Sequence, residues 1–421
     1  PIASTPTALT MEEKIKHLAP FARLVVAGMT QAKMSSQQPN EAETYLAIQR
    51  RGIIILAFVA RAEIEPETCV LTFPNTVPKR LGIKISTCIE RLESTYLMKS
   101  YWINKTPSGT ELELRELPVP TPGPEQVLVR VRATSINRGD IMGAIKLHSA
   151  KGGRPAGVDG AGEVEAIGAN VSGVAVGDRV MFRAKGCFAE HVVVDSTLLT
   201  PIPACLNWEQ AAVIPIAYIT AYEALLQFGG LQRDDWVLIA GASSGVGVAA
   251  IQIAKMCGAK VIGTSGSAEK LARLKSLGLD AGIQTRGENF AEEALKITGG
   301  AGVKLAVNLV GGSAFAGCLE ALTDFGRLAV VGYVDGQMLT GLDIEPVHGK
   351  RLQIFGLSNA PLSTAMRAVA QRGFERDVMP AIIDGRIVPV IDRTFSFDEL
   401  PAAKQYVEQN ALLGKVAIRF D

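Results

Sequence analysis

Residues 236–266 read "WVLIAGASSGVGVAAIQIAKMCGAKVIGTSG". The stretch opens on an apolar, strand-like run, "WVLIA". The turn "GASSGVG" follows. A helix-like stretch then begins near Gly247, and a second strand begins at Lys260. Such a strand–turn–helix–strand unit can hold a dinucleotide pyrophosphate against a helix N-terminus. Glycine lets the backbone approach phosphate, and the unpaired N–H groups of the first helical turn supply donors. A strict G-x-G-x-x-G is absent. In that register the chain has Ala242, Ser243, Ser244, Gly245, Val246 and Gly247. The alternative reading is a tight structural turn. The βαβ setting favours the dinucleotide.

The end of the second strand bears on which dinucleotide. An NAD site places Asp or Glu there for the adenosine ribose. Here the strand runs "VIGTSGSAEK", with Gly266 where the acid would stand and with Ser265, Ser267 and Lys270 around it. No carboxylate repels a 2′-phosphate, and Lys270 can attract one. Ser267 also suits an N-cap, with Glu269 and Lys270 in the first turn. The two readings are compatible, and NADPH is the expected cofactor.

The rest of the chain sets the context. It has 421 residues, enough for two or three domains. It is 48% hydrophobic and 20% charged with net charge +1, so no global field draws it to nucleic acid or a membrane. Cys69, Cys88, Cys187, Cys205, Cys257 and Cys318 form no C-x-x-C pair, which argues against a disulfide framework or zinc knuckle and for a reduced, cytoplasmic setting. The run "GIIILAFVA" from Gly52 is too short to span a bilayer. Glu12 and Glu13 make the N-terminus a poor signal peptide.

Four segments are expected. Residues 1–97 are an extension of unknown role, with an amphipathic helix broken near Pro20 and a flexible loop at "MSSQQPNEAE". Met98 is a natural initiator, so the true start can be read there. Residues 98–217 alternate as strands ("ELELREL", "VLVRVRATSI") between glycine and proline turns. Residues 218–359 switch to strands and helices in turn: "WVLIAGA", "KVIGTSG", "KLAVNLVG", "RLAVVGY" and "LQIFGL". That alternation implies a parallel sheet with helices on both faces. Residues 360–421 return to the β-rich part and end in "GKVAIRF". The fold class is therefore α/β with a β-rich partner domain.

Several ordered motifs carry a resemblance: "ATSINRGD", "GVDGAGEVEAIG", "GVAVGDRV", "AAVIPIAYITAYEAL", the phosphate-loop stretch, "GRLAVVGY" and "GKVAIRF". From residue 98 onward the chain resembles the medium-chain dehydrogenase/reductase superfamily, in its zinc-free quinone oxidoreductase branch. The resemblance implies a GroES-like catalytic domain built from both ends of this segment. A Rossmann domain, a doubly wound parallel sheet, is inserted between them. It implies a homodimer acting on a small molecule.

The resemblance also assigns residues. Zinc enzymes of the superfamily take a Cys, a His and a second Cys as catalytic ligands; the matching positions here are Asn137, Val158 and Ile216. None replaces a thiolate or imidazole. His191, on an alternating strand, and His148 are read as packing or surface residues. Asn137 and Asp140 match the polar pair facing the nicotinamide. Asp140 reads equally well as an acceptor for turn N–H groups. Thr220 matches a cofactor contact, and Asn308 completes the expected cofactor-binding set. A tyrosine common in the branch is Met142 here. Thr285 stands where a tyrosine meets the 2′-phosphate, and Arg286 can take over that contact. Tyr218 and Tyr222 read as core.

Without a Lewis acid, hydride transfer to a conjugated acceptor is easier than oxidation of a plain alcohol. The expected activity is NADPH-dependent reduction of a quinone or α,β-unsaturated carbonyl. Asn137 is expected to donate to the acceptor oxygen, Asp140 to hold the Asn137 loop, and water to supply the proton. Two alternatives remain open: an enoyl-thioester reductase of a fatty-acid or polyketide system, and a non-catalytic NADPH-binding protein.

Overall fold

The computed structural model describes residues 46–50, 53–57, 97–107, 109–141, 153–287 and 289–420. The helix and loop expected before residue 45, together with Cys69, Cys88, Met142 and His148, lie outside the described residues. The chain divides into two units, residues 1–82 and 83–421. In the first, Leu46–Arg50 pairs antiparallel with Ile53–Ala57, Leu46 opposite Ala57.

The second unit contains a six-stranded parallel sheet. Its strands are Trp236–Ala240, Lys260–Ser265, Ala281–Gln284, Val303–Asn308, Leu322–Val330 and Gln353–Gly356. Numbered one to six along the chain, they lie in the order 3-2-1-4-5-6. This is the doubly wound order, and its ligand crevice opens where the order reverses, between strands one and four. Side chains of one strand alternate between faces. Val237, Ile239, Val261, Leu305 and Val307 join the helix Gly245–Met256 in one core cluster. Leu238, Ala240, Ile262, Ile283 and Ala306 join the helices Ala291–Ile297 and Phe315–Glu320 in another. Burial on both faces explains why these strands read as unbroken apolar runs. The short strand Ala281–Gln284 was not visible in the sequence. Its four residues contain one buried apolar side chain, Ile283.

The β-rich part is centred on the long strand Gln126–Ile136. It pairs antiparallel with Asp159–Ile167, with His191–Asp195 and with the C-terminal strand Lys415–Arg419. Arg179–Arg183 and Leu199–Pro201 extend the sheet on one side, and Ile391–Ser396 on the other. Residues from both ends of the unit thus share one sheet, as the GroES-like expectation requires. Leu97–Thr106 pairs with Gly109–Pro118 and Arg154–Pro155 in a smaller sheet.

The tail is less β-rich than its composition suggested. It contains helices Thr364–Asp377, Met379–Ile383 and Leu400–Glu408 before and between its two strands. Ser363 caps the first by accepting from the Met366 N–H, and the strong helix formers in "TAMRAVAQRGFERD" carry it on. Among the described residues no helix is long and apolar enough to cross a membrane.

Candidate active site

The phosphate-loop residues sit at the switch point of the parallel sheet. Gly241 adopts φ +85°, a left-handed turn that favours glycine. Its N–H donates to Thr264 Oγ1 at 3.2 Å, and Ser244 Oγ donates to its carbonyl at 2.9 Å. Ser244 Oγ also accepts from the Gly247 N–H at 3.2 Å. Ser244 is therefore the N-cap, and the helix starts at Gly245, two residues before the expected position. The Gly245 and Val246 amides then belong to the first turn, where no helical carbonyl can reach them. Ser243, Ser244, Gly245 and Val246 line a cleft of about 610 Å³.

Ala242 and Gly247 do not line that cleft. Ala242 is fully buried, and a Cβ on Gly247 would stand 2.6 Å from the Ala242 carbonyl oxygen. They shape the loop from beneath. Asn308 is likewise buried and absent from the cleft wall. Its Oδ1 accepts from Val310 N–H and Gly311 N–H at 2.9 and 3.0 Å, and its Nδ2 donates to the Gly311 carbonyl at 2.8 Å. All of these bonds fold its own turn. Thr220 does line the cleft, from the buried helix Ala217–Tyr222, and its Oγ1 accepts from Asn359 Nδ2 at 3.4 Å.

At one end Ser265, Gly266, Lys270 and Arg286 come together. A Cβ on Gly266 would stand 2.8 Å from Arg286 Cγ and Nε. The arginine therefore occupies the space an acidic side chain would need. Ser267 caps the following helix as expected. Lys270 Nζ donates to the Asn410 carbonyl at 2.7 Å. Partial burial lowers its pKa, with the nearby Arg286 and Arg273 adding to the effect against Asp392. Thr285 Oγ1 is held within its own turn, accepting from the Gly287 N–H at 3.1 Å.

At the other end lies a buried charged cluster in which Asn137 and Asp140, expected from the sequence, are joined by Asp159 and Lys415, which were not. Asp140 Oδ2 accepts from the Asn137 backbone N–H at 3.1 Å and from Asn137 Nδ2 at 3.2 Å. The Asn137 amide also donates to Asp159 Oδ1 at 3.0 Å, and Ser135 Oγ donates to the same oxygen at 2.8 Å. Lys415 Nζ donates to Asn137 Oδ1 at 2.6 Å and to the Ile136 carbonyl at 3.0 Å. Asp140, Asp159 and Lys415 are all nearly inaccessible to solvent. Burial, then the Asp159 charge, raises the Asp140 pKa to about 7. Burial likewise raises Asp159, and lowers Lys415 despite the two carboxylates.

This arrangement corrects one assignment. The Asn137 amide group faces two carboxylates, so its protons are not free for an acceptor oxygen. Asp140 does hold the Asn137 loop. Lys415, which lines the cleft, is the cluster's remaining donor, with two of its three N–H bonds placed on Ile136 and Asn137. Its stem crosses the phosphate loop: a Cβ on Gly245 would stand 2.4 Å from Lys415 Cδ. The neighbouring Gly414 N–H donates to the Ser243 carbonyl at 3.0 Å. The available signal was a lysine inside the apolar strand "GKVAIRF".

Asn137, Val158 and Ile216 meet at this end of the cleft. No histidine or cysteine is among the described residues lining it. Cys187 Sγ donates to the Ala184 carbonyl, and His191 pairs with Glu165 at 2.9 Å. Tyr218 donates to the Val388 carbonyl at 3.3 Å, and burial raises its pKa. Tyr222 donates to Asp377 Oδ2 at 3.2 Å. Neither tyrosine lines the cleft.

Comparison with known proteins agrees with this geometry. Residues 123–204 match the alcohol dehydrogenase GroES-like domain family, and residues 245–372 match the zinc-binding dehydrogenase family. The synaptic vesicle membrane protein VAT-1 homolog of Rattus norvegicus is 31% identical over 328 residues, 73% of this chain and 80% of that protein. The chain belongs to the medium-chain dehydrogenase/reductase superfamily. Within that superfamily it is quinone oxidoreductase-like. The quinone oxidoreductase structure of Pseudomonas syringae matches with TM-score 0.67 at 25% identity, over 76% of this chain and 99% of that one. A mycobacterial structure solved in complex with NADPH matches with TM-score 0.69 at 24% identity, over 76% and 99%, and speaks to the fold. The spectinabilin polyketide synthase system protein NorB of Streptomyces orinoci is 32% identical over 298 residues, 70% of this chain. This chain spans only 13% of that synthase's length.

Proposed function

We propose that this oxidoreductase uses NADPH to reduce a quinone or an α,β-unsaturated carbonyl, without zinc. The buried cluster of Asn137, Asp140, Asp159 and Lys415 at one end of the cleft carries this reading. It pairs a potential proton donor with a nearby phosphate loop and supplies no thiolate or imidazole for a metal.

The cleft residues fit the cofactor. The Gly245 and Val246 amides at a twelve-residue helix suit a pyrophosphate. Arg286 over Gly266, with Lys270 beside it, suits a 2′-phosphate. Bound NADPH supplies the hydride. The chain's own residues then handle the charge. Reduction of a conjugated acceptor leaves a negative oxygen, and Lys415 can hold and neutralise it through its remaining N–H. A proton passed from Lys415 to the reduced acceptor completes the addition of two hydrogens. Asp140 and Asp159 keep the lysine positioned, and water restores its proton.

An enoyl thioester is a conjugated acceptor of the same kind. The polyketide synthase relative favours this second reading. A screen of NADPH oxidation against quinones, enals and enoyl thioesters tests both, with elemental analysis of the protein for zinc. NADPH binding without turnover on any acceptor would replace both with a non-catalytic role. One tightly bound zinc whose removal abolishes activity would refute the zinc-free chemistry.

A further inference from the structure

Two arginines in the cleft lie outside this mechanism. Arg183 ends the strand Arg179–Arg183, and Arg367 lies on the helix Thr364–Asp377. Both line the cleft. Arg183 is 3% exposed. Its Nη1 donates to Asn359 Oδ1 at 3.1 Å and its Nη2 to the Arg367 carbonyl at 2.9 Å. Arg367 Nη2 donates to the Asn359 carbonyl at 3.0 Å. Every acceptor in this set is a neutral oxygen.

Neither guanidinium forms an ion pair among the described residues. The Nε of each is buried without a hydrogen-bond partner. The two charges disfavour each other, and the buried carboxylates of Glu223 and Asp159 offset part of the Arg183 charge without forming an ion pair with it. A structural tie between strand and helix accounts for the Nη bonds. It does not account for the two orphaned Nε groups. A buried guanidinium N–H left without an acceptor is costly, and a bound anion offsets that cost. The guanidinium fork matches a carboxylate or phosphate through two parallel bonds.

Location separates this pair from the cofactor's phosphate groups. Arg183 stands directly across the sheet from Asp159, a member of the buried cluster. Gly245 and Arg286 belong to the loop and to the end where Gly266 lies. We propose that Arg183 and Arg367 form an oxyanion subsite beside the reacting end of the cleft, and that the natural acceptor carries a carboxylate or a phosphate. The proposal rests on the reading of this cleft as an acceptor site.

The test is calorimetric titration of NADPH-saturated protein with two matched, unreactive pairs. One pair is 4-oxopentanoate and its methyl ester; the other is pantetheine 4′-phosphate and pantetheine. The first distinguishes a carboxylate, the second a phosphate. One anion should bind at least about tenfold more tightly than its neutral partner. In R183M and R367M that ratio should fall below about twofold, and R367K should restore part of it. R367M and R367K decide the matter if R183M does not fold, since Arg367 is only half-buried. Equal binding of both pairs overturns the subsite, as does a preference that both variants retain. A preference seen only without NADPH would assign the arginines to the cofactor and also overturn it. Binding needs no turnover, so a protein that binds the anion but reduces no acceptor would lose the proposed activity and keep the subsite.

Discussion

Lys415 Nζ donates to Asn137 Oδ1 at 2.6 Å, and that bond turns the Asn137 amide group toward Asp140 and Asp159. The lysine thus fixes the asparagine, with two of its N–H bonds used on Ile136 and Asn137. Lys415→Met retains the stem over Gly245 and removes the charge. It should lower kcat on an enone or quinone by about a hundredfold to a thousandfold, the range for a lost oxyanion donor and the lower part of that for a general acid. NADPH affinity should change little. Tyr218→Phe and Tyr222→Phe should stay within about fivefold of the parent rate, far below the loss of a general acid. Unchanged kcat in Lys415→Met, with a large loss in either tyrosine variant, would put the chemistry on the wrong residues.

The same cluster makes stability depend on pH. The Asp140 pKa rises from 3.8 to about 7 on folding. Between those values the unfolded chain has lost the proton and the folded chain keeps it. Asp140 therefore stabilises the fold most below about pH 4, and that contribution is lost as pH rises toward 7. Asp159 acts in the same direction. Lys415, lowered by burial, acts in the opposite direction at higher pH. Asp140→Asn should remove part of that loss. Its unfolding free energy should gain on the parent's as pH rises from 4.5 to 7.5, by up to roughly 1.4 kcal/mol per pH unit, and its melting temperature should rise relative to the parent's accordingly. Parallel melting curves would show that Asp140 does not titrate in this window.

Much of the fold was legible because burial on both faces writes itself as continuous apolar runs. Strands such as Trp236–Ala240 and Val303–Asn308 were plain for that reason. Ala281–Gln284 was not, since an edge strand needs only Ile283 to anchor it. The phosphate loop was legible through its glycines, although a serine, Ser244, sets the helix start. The charged cluster was not. Asp140 and Lys415 are 275 positions apart, and only the antiparallel pairing of Gln126–Ile136 with Lys415–Arg419 joins them. Sequence spacing carries no trace of that pairing. Asn308, expected in the cofactor-binding set, is buried and spends its side-chain bonds on its own turn.

The segment before Met98 gives a further expectation. The strand Leu97–Thr106 is the first described element of the second unit, and Leu97 at its edge is exposed. We propose that the oxidoreductase portion is self-sufficient from that strand onward. A polypeptide of residues 98–421 should be monodisperse, melt cooperatively and keep its NADPH affinity within about threefold, a change of under 1 kcal/mol. Insolubility, or loss of NADPH binding, would mean that earlier residues are needed by its core.

The proposed preference for NADPH rests on Arg286 lying over Gly266, where an acidic residue would otherwise bind the ribose. NADPH should be preferred to NADH by at least about tenfold in kcat/KM, or roughly 1.4 kcal/mol. Arg286→Ala should reduce that preference by lowering kcat/KM for NADPH alone, because NADH has no 2′-phosphate to lose. Lys270→Ala should have the smaller effect, since its ammonium already donates to the Asn410 carbonyl. Gly266→Asp is the sharper test. The new Cβ would displace only the flexible Arg286 side chain, so the fold should tolerate it. The new carboxylate would then repel a 2′-phosphate and accept from ribose hydroxyls. The variant should favour NADH, with NADPH losing the larger share of its kcat/KM. Equal kcat/KM for the two cofactors in the unmodified protein, or a Gly266→Asp variant that still favours NADPH, would show that this end of the cleft does not read the 2′-phosphate.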